Sequence, residues 1–200
     1  MLIAICGIDG SGKTTQIRLL EEKLSEVSDV YITKQPTDFY RKYDRFRKIV
    51  NREANIDENI LYELALMAAA DKRRHYDEEI RNNMDKIIIC DRYVYSGYSY
   101  FLARGFKNIE WLKKLNDNLL MPDITFFIDV PPEVALERII KRDGQSVKKE
   151  ESDIDFMKAV RDCFLKQPWG KQENYYIING LQSTSKINAY IFEIVKKRIE

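Results

Sequence analysis

Apolar residues fall along this chain in two alternating patterns. Short runs, from Leu2 to Cys6, Val30 to Thr33, Ile87 to Cys90, Ile124 to Val130 and Tyr175 to Ile178, have the length and the β-branched content of buried strands. Between them apolar positions recur at spacings of three and four, as Ile17, Leu20, Leu24 and Val27 do, which marks one face of a helix. Further helices are predicted over about 58–84, 95–104 (ended by Gly105) and 109–120 (stopped before Pro122). Others run from Pro132, at a first helical position, to about 142, and over about 153–165 and 184–198. Pro36 stops the second strand. Strand and helix alternate with no repeats or low-complexity linkers. The pattern therefore predicts an α/β fold in one domain over residues 1–200, a parallel five-stranded sheet with helices on both faces. In such sheets ligands bind at the carboxyl ends of the strands.

Composition narrows the ligand. The chain has 200 residues, with 33 Lys plus Arg against 32 Asp plus Glu, a net charge of +1. Proteins that grip polynucleotides usually show a clear basic excess, so small phosphorylated ligands are expected and a nucleic-acid polymer is not. No run approaches the roughly 18 apolar residues of a membrane span, and the N-terminus enters a strand with no basic signal region. A cytoplasmic protein without a membrane partner is expected. Cys6, Cys90 and Cys163 form no C-x-x-C pair, and their odd number suits no disulfide framework. Cys6 and Cys90 end apolar strands and read as small buried hydrophobes. His75, the single histidine, cannot anchor a metal cluster by itself, and its polar surroundings suggest a surface position.

The chemistry begins where the first strand ends. Residues 7 to 14, Gly-Ile-Asp-Gly-Ser-Gly-Lys-Thr, are G-x-x-x-x-G-K-[ST] between a strand and a helix, the context that separates a phosphate-binding loop from a chance glycine turn. Glycines 7, 10 and 12 let successive N–H groups point inward, and the helix N-terminus adds partial positive charge. Gly7, Ile8, Asp9, Gly10, Ser11, Gly12, Lys13, Thr14 and Thr15 are thus expected around ATP. Lys13 would reach the β- and γ-phosphates, and the Thr14 hydroxyl would bind Mg²⁺. Asp91 and Arg92 follow the third strand. The first suits a second Mg²⁺ contact and the second a further phosphate. Asp129, after the fourth strand, reads as a strand-end residue. Arg138, Lys141, Arg142, Lys148 and Lys149 form a basic stretch. A solvated charged face would look similar, but phosphoryl transfer needs cations on a segment that closes over ATP, so a basic lid over about 142–152 is expected.

These residues resemble a known family. Gly7 to Gln16, Ala69-Ala70-Asp71, Asp91-Arg92-Tyr93 with Ser96 and Tyr100, and Pro122 to Val130 are similar in order and spacing to thymidylate kinase, over nearly the whole chain. The resemblance implies a three-layer P-loop kinase fold, Mg²⁺-dependent transfer of the ATP γ-phosphate to dTMP to give dTDP and ADP on the route to dTTP, and a homodimer. It places Asp9 near the sugar 3′-hydroxyl and the acceptor phosphate, Arg92 on that phosphate, and Asp91 beside Mg²⁺. It places Tyr100 beside the sugar, where it disfavours a 2′-hydroxyl, with Lys34, Pro36, Lys72 and Ser96 in the same substrate site. Gly10 stands where some members carry a loop arginine. Members without it supply the cation from the lid, here Arg142, Lys148 or Lys149, with Arg138 near the adenine.

Four positions depart from the family pattern. Arg-Glu-Pro after the second strand is Lys34-Gln35-Pro36, the phenylalanine that stacks on the base is Ala68, and the following arginine is Lys72. Lysine cannot reproduce arginine's bidentate contacts. Met67, Phe39 and Tyr40 are candidates to replace the missing aromatic. The departures keep open a related nucleotide or deoxynucleoside kinase of different base specificity. A GTP-dependent switch should carry Asn-Lys-x-Asp, and no Asn-Lys pair occurs.

Overall fold

A computed structural model describes residues 1–144 and 149–199. Strands β1 (Leu2–Cys6), β2 (Val30–Lys34), β3 (Ile87–Asp91), β4 (Ile124–Asp129) and β5 (Tyr175–Asn179) form one sheet in the order β2-β3-β1-β4-β5, with every pair parallel. The three central strands are buried almost end to end, as continuous apolar runs require, and the edges β2 and β5 are only partly covered. Register brings the carboxyl ends level. Ile5 pairs with Asp91, Lys34 with Asp91, and Cys6 with Phe127.

The helices are α1 (Lys13–Leu24), α2 (Asp38–Arg41), α3 (Asp44–Val50), α4 (Glu58–His75), α5 (Val94–Ala103), α6 (Ile109–Leu115), α7 (Pro132–Asp143), α8 (Ile154–Lys166) and α9 (Thr184–Ile199). α1 packs with α9, while α4, α5, α6 and α8 pack among themselves, which is the two-faced arrangement that right-handed crossovers impose.

Three expectations need correction. The predicted 58–84 helix is regular only to His75. It continues as a wider turn over Tyr76–Ile80 and a 3-10 turn over Arg81–Asn83. That course buries Ile80 while His75 and Glu79 both face β2. The predicted 109–120 helix ends at Leu115, because the Asn116 side chain turns back to donate to the Leu112 carbonyl at 2.6 Å. His75 is buried, not at the surface. Gln35 donates to its Nδ1 at 2.8 Å, and its Nε2 lies 2.6 Å from the Thr33 hydroxyl, which donates to Glu79. Burial lowers its pKa, so it stays neutral and pins the end of β2 to α4. Helices α2 and α3 are too short to show a period in sequence. Cys6 and Cys90 are buried and free, as expected. Asp129 at the end of β4 is held by both Nε and Nη2 of Arg161, at 2.5 and 2.9 Å, which is the structural place its position suggested.

Candidate active site

The loop between β1 and α1 is shaped by close backbone approach. Gly12 caps α1 at φ 97° and Gly10 sits at φ 77°, where other residues are strained. A Cβ on Gly10 would lie 2.2 Å from the Ala135 carbonyl oxygen of α7. With α7 packed this tightly on the loop, Gly10 leaves no room for the arginine some family members carry there. Ile8 is anchored in the core, the Ser11 hydroxyl is buried without a hydrogen-bond partner among the described residues, and Thr14 and Thr15 are exposed at the first turn of α1. The first turn's N–H groups have no partners within the helix and point toward the loop. Lys13 is buried, and its Nζ donates to the Ile8 carbonyl at 2.9 Å and lies 4.0 Å from Asp9. Burial, with the nearby Arg92 charge, lowers its pKa to about 8 against the pull of Asp9 and Asp91.

Arg92 follows β3 at φ 66°, a strained left-handed position for a non-glycine residue. The turn aims its guanidinium at the loop, where Nη1 donates to the Gly7 carbonyl at 2.9 Å and Nη2 to Asp9 Oδ1 at 2.7 Å. Burial opposes its charge, but Asp9, Tyr100 and Asp91 together outweigh that and raise its pKa. The guanidinium also lies 5.1 Å from the centre of the Tyr100 ring, and the Tyr100 hydroxyl donates to Asp9 Oδ2 at 3.4 Å. Burial raises the Tyr100 pKa, so the phenol stays protonated.

From this knot a cavity of about 490 Å³ runs toward α2, α3 and α8. Asp9, Pro36, Lys72, Arg92, Ser96 and Tyr100 all line it. The Ser96 hydroxyl is buried beside the Cys6 thiol at the wall of the cavity. Lys72 is buried, and its Nζ donates to the Ala68 carbonyl at 3.2 Å. Burial lowers its pKa to about 8. Lys34 does not belong to this group. It is exposed and lines a neighbouring cleft of about 890 Å³ with Thr14 and Asp91. Phe39 lies in that cleft too, while Tyr40 enters the acceptor cavity, its ring 4.4 Å from that of Phe46. Met67 packs against the core and is not among the residues lining the cavity.

The basic stretch is dispersed. Arg138 on α7 makes long contacts of 3.4 Å to the Gly10 and Gly180 carbonyls, so it ties the loop to the turn after β5. Arg142 forms a two-pronged pair with Asp143, and the charge of Asp9 also reaches it and helps raise its pKa. Lys149 is exposed, and Lys148 lies outside the described residues. Three wall residues, Phe46, Arg104 and Glu150, escape sequence reading, and Asp71 enters it only as part of a motif, with no role. Asp71 accepts from the Thr37 N–H at 3.0 Å and from its hydroxyl, fixing the entry to α2. Phe46, Arg104 and Glu150 line the cavity from elements far apart in sequence, and only an Arg and a Glu of opposite sign could have hinted at the last two.

The arrangement can hold one phosphate on the loop and another at Arg92. A family model described as "Thymidylate kinase" matches residues 5–191. The chain belongs to the thymidylate kinase family. Among similar proteins, a "Probable thymidylate kinase" of Thermococcus onnurineus (strain NA1) is 37% identical, covering 100% of this chain and 98% of that protein. A "Thymidylate kinase" of Acholeplasma laidlawii (strain PG-8A) is 31% identical over 100% of both, and one of Staphylococcus haemolyticus (strain JCSC1435) is 30% identical over 94% of both. Lys13 and Arg92 both reach Asp9 Oδ1, at 4.0 and 2.7 Å, which brings two cations to one carboxylate at the end of the loop.

Proposed function

We infer that this chain is a nucleoside monophosphate kinase that moves the γ-phosphate of ATP to dTMP, giving dTDP and ADP. The observation that carries it is the shared carboxylate. Asp9, inside the phosphate loop, touches both Lys13 on the donor side and Arg92 on the acceptor side. Lys13 Nζ lies 4.0 Å from Asp9 Oδ1 and Arg92 Nη2 donates to the same oxygen at 2.7 Å, so two cations converge where two phosphates would meet. Catalysis on such a site is positioning and charge stabilisation.

On this reading the loop from Gly7 to Thr15 cradles the ATP phosphates, Lys13 stabilises charge on the transferring group, and Arg92 holds the dTMP phosphate. When dTMP arrives, its phosphate takes the Arg92 guanidinium as partner in place of Asp9, and Asp9 turns to the sugar hydroxyl. Tyr100 and Ser96 bound the sugar side. Pro36 and Lys72 line the wall toward the base, with Tyr40 and Phe46 supplying aromatic surface that Ala68 lacks. Lys34 belongs with the donor cleft instead. Arg138 and Arg142 project from one face of α7 toward the loop, and Arg142, Lys149 or Lys148 supplies the cation that Gly10 cannot. Mg²⁺ fits the donor cleft. The buried Asp91 Oδ1 has no hydrogen-bond partner among the described residues, and the exposed Thr14 hydroxyl lines the same cleft. Mg²⁺ is commonly held by one or two protein groups together with substrate phosphates. Bound there, Mg²⁺ would neutralise the β- and γ-phosphates of ATP.

Two further parts of the reading rest on the family. Two copies pair, and Leu66, an exposed leucine on α4, offers apolar surface for it. Light scattering on the purified chain gives the mass directly. The chain works in the cytoplasm, which agrees with its free buried thiols; no helix among the described residues is long and apolar enough to cross a membrane. The test of function is an acceptor panel of dTMP, dUMP, dCMP and thymidine with ATP and Mg²⁺. dTMP should be the best acceptor, and a folded protein that prefers thymidine would shift the reading to a nucleoside kinase.

A further inference from the structure

The acceptor cavity has a second buried charge pair that the reaction itself does not require. Arg104, at the end of α5, donates from Nε and Nη2 to the two carboxylate oxygens of Glu150, at 2.9 and 2.7 Å. Both side chains are nearly sealed from solvent, at 5% and 9% exposure, although both also line the cavity. Removing two charges from water is unfavourable unless geometry is good, and a pair facing a cavity spends that desolvation where it can act. Glu150 is fixed independently by its own N–H, which donates to the Val50 carbonyl at the end of α3. Arg104 in turn stands 5.6 Å from the centre of the Tyr100 ring and 5.5 Å from that of Phe156. Tyr100 therefore has two guanidinium groups against its ring, Arg92 and Arg104, while its hydroxyl reaches Asp9.

We propose that Glu150 and Arg104 are positioning residues that hold the Tyr100 ring in place, and so fix the sugar side of the acceptor pocket and its selectivity for a deoxyribose. The chain of contact is Glu150 to Arg104, Arg104 to the Tyr100 ring, and the Tyr100 hydroxyl to Asp9. Glu150 needs no contact with substrate to act. Without its carboxylate, the guanidinium is an uncompensated buried cation and turns toward Asp9 or solvent. Tyr100 then loses one face of its support, and a 2′-hydroxyl meets less resistance.

This rests on the reading of the cavity as the dTMP site, so wild-type turnover is measured first. Failure of the wild type to make dTDP would remove that reading. Given wild-type turnover, Glu150→Gln is compared with wild type on dTMP and on its ribonucleotide counterpart. The preference for dTMP in kcat/KM should fall roughly tenfold, through KM for the acceptor, because small misplacement of a wall is felt strongly in bound geometry. KM for ATP should stay near wild type. Two further variants separate positioning from folding. Arg104→Met with Glu150→Gln removes both charges, so its melting temperature should recover relative to Glu150→Gln while selectivity stays low. In a Tyr100→Ala background Glu150→Gln should change selectivity no further, since the two act through one contact. Unchanged selectivity in folded Glu150→Gln, selectivity recovered together with stability in the double variant, or additive effects in the Tyr100→Ala background would each overturn the proposal.

Discussion

On the proposed reading, the two ends of the active-site cleft prepare for phosphate by different means. The donor end is a backbone device, a tight loop over residues 7–14 that leads into the N-terminus of α1, with Lys13 as its buried cation. The acceptor end is a side-chain device. Asp9, Arg92, Tyr100, Arg104 and Glu150 come from four separate stretches of chain and touch in sequence. A backbone cradle tolerates little added volume, since an atom at Gly10 meets the Ala135 carbonyl. A ladder of charges tolerates volume better but no missing rung, because each ion is buried against the next. The donor end should therefore be sensitive to Cβ atoms, and the acceptor end to charge.

Lys13→Ala carries the largest expected effect. It should lower kcat by a factor of about a hundred or more while leaving KM for dTMP near wild type, because the lost contact is to the transferring group. Steady-state kinetics with both substrates varied checks the split. Arg92→Ala should do the reverse and weaken kcat/KM for dTMP by about 2 kcal/mol, roughly thirtyfold, as a charged hydrogen-bonded contact implies. An unchanged KM for dTMP would mean that the two ends are not distinct.

Gly10→Ala tests the backbone end without touching charge. It should destabilise the fold by about 1–3 kcal/mol, since the new methyl overlaps the α7 backbone, and raise KM for ATP more than KM for dTMP. Thermal melting and the two KM values report it.

A pH profile sharpens the comparison further. Both buried lysines have pKa values lowered to about 8, each chiefly by burial. A lysine acts as a cation only below its pKa, so kcat/KM should be highest below about pH 8 and fall as pH rises through it. Stability runs the other way. Between about pH 8 and the ordinary lysine value of 10.5 the unfolded chain holds more protons, so the penalty for burying these cations is relieved as pH rises. Lys72→Arg keeps its charge throughout, so the acceptor profile of that variant should lose part of its alkaline limb while the ATP profile, governed by Lys13, keeps it. The smallest effect is expected at Arg161, whose pair with Asp129 is partly exposed and away from both ends. Arg161→Ala should cost no more than about 1 kcal/mol of stability and leave both KM values alone.

How much of this was legible follows the same division. The loop is local in sequence, so residues 7–14, the strand before them and the helix after them announce it directly, and Asp91 and Arg92 are found by looking just past a strand. The continuous apolar runs of β1, β3 and β4 likewise mark a parallel sheet. The acceptor wall is not local. Arg104 and Glu150 are separated by 46 positions and meet only because α5 packs on α8. His75 misled because its neighbours are charged, while its own side chain turns inward onto Thr33 and Gln35. Lys34 misled because the strand end points it to the donor cleft rather than the acceptor cavity. Helices α2 and α3, at four and seven residues, are shorter than the period needed to see them.

The central claim is direct transfer between two phosphates held on either side of Asp9. The measurement that tests it most directly follows ATP labelled at the γ-phosphate, incubated with the purified protein, Mg²⁺ and dTMP. The label should appear as the β-phosphate of dTDP, in step with ADP formed. Label released as inorganic phosphate with no labelled dTDP, from a protein shown to be folded, would contradict the account.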